Sequence, residues 1–239
     1  MMKKTVLKSL AIMLVACFSL SASAVELDGS KYQGITKIPD SPLDMWTTVD
    51  FTATDMSLNL ANAAKFSSKI TSKDTAGKLT VTGTLEPGNG SFTLTSSDNG
   101  ASFEGKYSLN GNTVTTWLLC VPSELTPATQ PTQELAEIVG SSDGYTSFLL
   151  IEMQGNTCCA TADVSFNKEE GTWKMICDSQ IVQKILGNMQ GSYSLDGSNI
   201  YMKDSTGKNA SGTIYDNGKY IKVPIGSAQG MALTLVLIR

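Results

Sequence analysis

Few residue types that do covalent chemistry are arranged to do it in this chain, and the missing ones decide the most. There is no histidine, which removes the usual Ser-His-Asp and Cys-His nucleophilic systems and histidine metal ligation. No P-loop occurs, nor a Gly-x-Gly-x-x-Gly after a strand, so the common phosphate-cradling turns are absent from the sequence. Glycoside hydrolysis needs only two carboxylates, yet no pair singles itself out. Glu169-Glu170 falls in a turn, where solvated charge is the simpler reading, and Asp50 and Asp55 come next with nothing further to mark them. The sequence therefore assigns no catalytic residue, no metal ligands and no cofactor, and it reads as a non-enzymatic protein.

Cys120, Cys158, Cys159 and Cys177 are the thiols beyond the first two dozen residues. In an oxidising compartment an even number invites disulfides, with three connectivities open to four cysteines. Along 158–166 the apolar residues are even-numbered, which turns Cys158 inward and Cys159 outward, while Trp173, Met175 and Cys177 share one face. Cys158 and Cys177 could then meet on one face of a hairpin turned by Asn167 to Glu170, slightly out of register. The alternative is buried free thiols, a common state for cysteine. Adjacent cysteines without C-x2-C spacing and without histidine argue against a metal site.

A binding role rests on the aromatics. Trp46, Trp117, Tyr107 and Tyr193 are the candidates to line a pocket or stack on a sugar ring, with Trp173, Tyr215 and Tyr220 behind them. Trp117 stands out, because the register set by Asn110-Gly111 turns Val114 and Leu118 inward and Trp117 outward, and an exposed tryptophan can mark a contact surface. The competing reading packs these rings into a core, Trp173 above all.

The elements that must position them are strands. Leu79, Val81, Gly83 and Leu85 alternate with Lys78, Thr80, Thr82 and Thr84, and Met231, Leu233, Leu235 and Leu237 alternate near the C-terminus; period two predicts half-buried strands. Turn dipeptides recur at Pro87-Gly88, Asn99-Gly100, Asn110-Gly111, Gly155-Asn156, Asp196-Gly197 and Asn217-Gly218, the spacing of hairpins in a sandwich or barrel. A ten-residue pattern, Gly-x-Tyr-Ser-Leu-(Asn/Asp)-Gly and its continuation, begins at Gly105 and again at Gly191. Each copy spells a two-residue type I′ hairpin, placing Tyr107 opposite Val114 and Tyr193 opposite Ile200. Such aromatic/β-branched pairs contribute about 0.2–1 kcal/mol each. Two stretches read as short helices that plug a barrel end or link halves. One runs from Pro131 to Val139 and stops at Gly140; the other is capped by Asp178 or Ser179, with Ile181, Val182 and Ile185 on one face before Gly187.

Residues 1–24 read as a signal peptide: Lys3, Lys4 and Lys8, an apolar run from Leu10 to Leu20, and Ala22-Ser23-Ala24 before the cleavage point. Leu14-Val15-Ala16-Cys17 also spells a lipobox, which would make Cys17 a lipid anchor. Without the leader, fifteen basic groups face 22 acidic ones, a net charge of −7. Arg239 is the lone arginine and the lysines are scattered, which argues against nucleic acid. No later segment is long and apolar enough for a transmembrane helix. A membrane barrel is disfavoured, since the outward strand positions are Thr, Lys and Asp and no aromatic girdle appears. The predicted organisation is all-β and antiparallel, with a first half over 25–122, a linker with a short helix over 123–144, and a second half over 145–239; the halves could share one barrel over 25–239.

The leader, the Gly29-Ser30-Lys31-Tyr32-Gln33-Gly34 opening and the repeated hairpins resemble the calycin-like and lipocalin-like β-barrel proteins of unknown function exported by Gram-negative gut bacteria. The resemblance implies a barrel in the periplasm, on the cell surface or outside the cell, and carries no functional residue with it. Lipocalins have Gly-x-Trp near the first strand; here Ile35 and Thr36 follow Gly34 and Trp46 stands elsewhere. Two expectations of function follow. The first is a binding module that holds a small apolar or saccharide ligand in a barrel mouth or on a sheet face. The second is a structural or protein-interaction module of the envelope with a solid barrel. An apolar cavity of several hundred Å3 would favour the former, and a filled interior the latter.

Overall fold

A computed structural model describes residues 26–141, 144–187 and 189–239; the leader at 1–24 and Cys17 lie outside the described residues. The first eight strands are β1 (Lys31–Lys37), β2 (Asp44–Phe51), β3 (Asp55–Leu60), β4 (Ala64–Thr75), β5 (Lys78–Leu85), β6 (Gly90–Ser96), β7 (Ser102–Leu109) and β8 (Asn112–Val121). Each pairs antiparallel with the next, and β1 pairs with both β2 and β8, so the set closes as an eight-stranded barrel. Eight further strands lie outside it: β9 (Thr146–Met153), β10 (Asn156–Asn167), β11 (Thr172–Cys177), β12 (Met189–Asp196), β13 (Asn199–Asp204), β14 (Asn209–Tyr215), β15 (Tyr220–Ala228) and β16 (Met231–Ile238). These form a second ring, because β9 pairs with both β10 and β16.

Closure disposes of edge strands, and the turns make it possible. At the β7–β8 hairpin Asn110 and Gly111 both take positive φ, 50° and 83°, the type I′ requirement, and Tyr107 stands opposite Val114 as predicted. The second copy departs from prediction. Its two-residue turn is Gly197-Ser198 rather than Asp196-Gly197, with Gly197 at φ 53°, so Tyr193 faces Met202 and Leu195 faces Ile200. Glycine in the first turn position suits the II′ family. The register moves by two residues, which keeps every side chain on its predicted face.

Inside the first ring Tyr32, Phe51, Leu58, Val81, Leu94, Phe103, Tyr107 and Leu118 pack together. Inside the second, Leu149, Val164, Trp173, Met175, Ile200, Met202, Val223 and Leu235 do the same. Helix α1 (Thr132–Gly140) closes one end of the second ring by burying Leu135 and Val139 completely. Its C-terminus is held by Arg239, whose guanidinium donates to Ile138 O and Ser141 Oγ and lies 5.7 Å from the Tyr145 ring centre. Helix α2 (Gln180–Leu186) lies at the opposite end, where Ser179 Oγ accepts from Val182 N and Gly187 ends the helix at φ 67°. Only Val182 is buried there. Ile181, predicted to share that face, is 45% exposed.

The two rings meet side by side. A third apolar cluster joins the outer faces of both: Ile35, Trp46 and Val121 from the first, and Phe148, Leu150, Cys159, Tyr220, Val236 and Ile238 from the second. Trp46 packs edge-on against Phe148 at 5.3 Å, and Trp117 lies 6.1 Å from the same ring. Cys158 and Cys159 pair with Met45 and Asp44, which links the two rings into one sheet, and Tyr220 Oη donates to Gln33 Oε1 across the junction. β9 and β16 therefore have both faces covered, unlike the half-wet strands that alternation alone predicts. Truncating Phe148, which is completely buried between the two tryptophans, should cost about 3–5 kcal/mol. Denaturant unfolding of Phe148→Ala should show that loss, and a cost under about 1 kcal/mol would mean the rings barely lean on each other.

Candidate functional site

The interiors offer little space. At the α2 end of the second ring a pocket of about 200 Å3 sits among Ile185, Leu186, Met189, Ile225 and Leu233. Beneath it a void of about 20 Å3 lies between Trp173, Met189, Met202 and Ile225. Larger concavities lie outside the walls. One of about 480 Å3 crosses the outer face near Ser165, Lys174 and Gln190, and one of about 660 Å3 crosses the outer face of the first ring.

The 660 Å3 groove is built by register. Because Phe103, Tyr107 and Leu118 point inward, their neighbours Glu104, Lys106 and Trp117 point out. Cross-strand pairing then aligns Ile35, Trp117, Glu104 and Thr95 in one row over four strands, and Lys37, Thr115 and Lys106 in the next. Lys78 and Ser102 border the other side. Gly34 on β1 lets the β8 backbone approach closely here: a Cβ at that position would come within 2.0 Å of Trp117 O. Half-buried Asp44, beside the groove's Lys37, is pushed up by desolvation while the lysine ammonium pulls it back.

The four candidate aromatics scatter. Trp117 lines the groove. Trp46 is buried in the seam between the rings. Tyr107 is completely buried inside the first ring, and Tyr193 packs edge-on against Phe166 on the second, their centres 5.0 Å apart. The Cys158–Cys177 bridge does not form. Cys177 stands opposite Ala162, four residues from Cys158 along β10, or about 13 Å of strand, well beyond disulfide reach. Among the described residues all four thiols are free, and Cys159 points outward into the seam. Of the carboxylates, Asp55 is ion-paired with Lys69 at 2.7 Å, and Glu169 and Glu170 are exposed in their turn. Sequence reasoning found Trp117 but missed Lys37, Glu104, Lys106 and Thr115. The parity that turned Trp117 outward also applies to them; the β7–β8 hairpin aligns Glu104, Lys106 and Thr115 with Trp117, and the long-range pairing of β1 with β8 adds Lys37.

A closed, antiparallel, eight-stranded barrel is the architecture of calycin-like and lipocalin-like proteins. No family model matches the chain and no curated protein matches it.

Two measurements check this placement. Burial pushes the Cys177 thiol up to about 11 and raises Cys159 further, so both should stay protonated and unalkylated by iodoacetamide in native protein at pH 8; Cys120, also raised by partial desolvation but exposed, should react slowly, and unfolding should make all four reactive. Rapid native alkylation of Cys177 would contradict its burial. The Tyr107 hydroxyl has no hydrogen-bond partner among the described residues, and an unsatisfied buried group costs about 1–3 kcal/mol. Tyr107→Phe should therefore unfold at equal or higher denaturant concentration, and a clear loss of stability would reveal a partner.

Proposed function

We propose that the chain is an exported, non-enzymatic binding module that takes its ligand, a saccharide, on the outer sheet face around Trp117 rather than inside a barrel. The observation that carries this reading is the contrast in space. The ring interiors are filled by side chains, whereas a groove of about 660 Å3 with an indole and a row of hydroxyls lies outside. A sugar needs that combination: a flat aromatic surface for its C–H face, and donors and acceptors at fixed intervals for its hydroxyls. Thr95, Thr115 and Ser102 supply hydroxyls, and Glu104 next to Trp117 supplies an acceptor.

A small apolar ligand inside a barrel is less well supported, since the pocket of about 200 Å3 beneath α2 falls short of the roughly 300–1,000 Å3 typical of ligand sites. An envelope protein as partner is supported by the solid interiors, but lysine, glutamate and serine are the residues interface cores avoid, and they line this groove. Leader, compartment and kinship to the exported gut-bacterial barrels remain part of the same proposal, supported by the sequence features that suggested them.

Trp117 is the half-buried tryptophan, while Trp46 and Trp173 are buried. Iodide should therefore quench one component of the emission, which Trp117→Phe removes and a bound oligosaccharide protects. A glycan array on which the wild-type protein retains nothing, neutral or acidic, would sink the proposal.

A further inference from the structure

Resting on that reading, we infer that the saccharide held at the Trp117 groove is anionic, a uronate-type polymer whose carboxylates are taken by Lys37, Lys106 and Lys78.

The chain carries a net −4, yet this groove gathers three ammonium groups around one carboxylate, Glu104. Among the described residues the ion pairs are Lys69 with Asp55, Lys168 with Glu137 and Lys219 with Asp216. None of them uses Lys37, Lys78 or Lys106. Three ammonium groups against Glu104 within the groove and Asp44 beside Lys37 leave one excess positive charge on an otherwise acidic protein, and the field of such a cluster is strongest in a concave wall.

The layout adds a direction. Lys37 and Lys106 occupy one cross-strand row with Thr115 between them, their backbones two strand spacings or about 10 Å apart across the sheet. Lys78 stands on the far side of the row that holds Trp117, Glu104 and Thr95. A ligand lying across the strands meets ammonium groups on both flanks and an indole and a carboxylate along the middle. Such a ligand carries acids at its margins, hydroxyls that donate to Glu104, and a C–H face for Trp117. An acidic saccharide has all three.

Other anions fit less well. Nucleic acid recognition relies on clustered Lys and Arg, and the lone arginine, Arg239, is engaged at the α1 terminus. A peptide adding itself as a strand needs a free edge, and closure of the ring leaves none at β1 or β8. A lipid surface wants several apolar side chains to insert beside the basic ones, whereas Ile35 is buried here, Trp117 is half-buried, and the remaining outward neighbours are chiefly threonine and serine.

The test is isothermal titration of the processed chain with oligogalacturonate and oligoalginate, and with neutral galactan and mannan oligomers of matched length. The uronates should bind and the neutral oligomers bind weakly or not at all. Affinity should fall as salt rises and drop about tenfold in Lys37→Ser/Lys106→Ser, the loss of two exposed charge contacts. Thr115→Asp, an exposed change that sets an acid between the two lysines, should abolish uronate binding while leaving the unfolding transition in place. Equal binding of neutral and acidic oligomers, lost in Trp117→Ala but unmoved by the lysine changes, would overturn the anionic assignment and leave the saccharide surface standing. Binding of neither class, or uronate binding indifferent to every one of these substitutions, would overturn both.

Discussion

The structure depends on strands that find two partners each. β1 bonds to β2 on one side and β8 on the other, and β9 does the same with β10 and β16. A sheet of this length left open would expose two rows of unpaired N–H and C=O groups, the usual template for aggregation. Closing it satisfies those groups within the chain and at the same time fixes which side chains are inside. Everything else, from the filled interiors to the outer groove, follows from the register that closure imposes.

Closure also leaves each ring with an outer face, and the two outer faces are treated differently around the circumference. Where the rings touch, Ile35, Trp46, Phe148, Val236 and Ile238 cover each other, so strands there are apolar on both sides. Where the wall turns away, the outward positions become Lys37, Glu104, Lys106 and Thr115. Trp117 sits at the transition, with Phe148 beside it and the groove over it. An aromatic at that boundary is partly ordered by the seam and still offers a surface, which reduces the entropy a ligand must overcome in ordering it.

Much of this was legible in the sequence, and the failures have physical causes. Alternation identified Leu79, Val81 and Leu85 as inward and Trp117 as outward, because strand side chains have a fixed period of two. The Asn110-Gly111 turn was predicted to the residue, since both positions need positive φ and the sequence offers Asn and Gly there. The Gly197-Ser198 turn slipped because a single glycine can stand second in one two-residue turn or first in the next, and the sequence at Asp196-Gly197-Ser198 allows both. The seam was missed for a related reason. The runs Phe148-Leu149-Leu150-Ile151 and Leu235-Val236-Leu237-Ile238 carry the signal of strands buried on both faces, but what covers the second face is a long-range fact. The cysteine pairing failed on register alone, a quantity that parity does not determine.

On the proposed reading the walls, and not the interiors, hold the ligand. Hydrogen exchange followed by mass spectrometry, with and without an acidic oligosaccharide, tests it directly. Slowed exchange should be confined to peptides covering the groove, at 35–37, 78, 95–97, 102–106 and 113–117, with the second ring unchanged. Protection centred instead on α2 and on 202–208, at the mouth of the second ring, would contradict it.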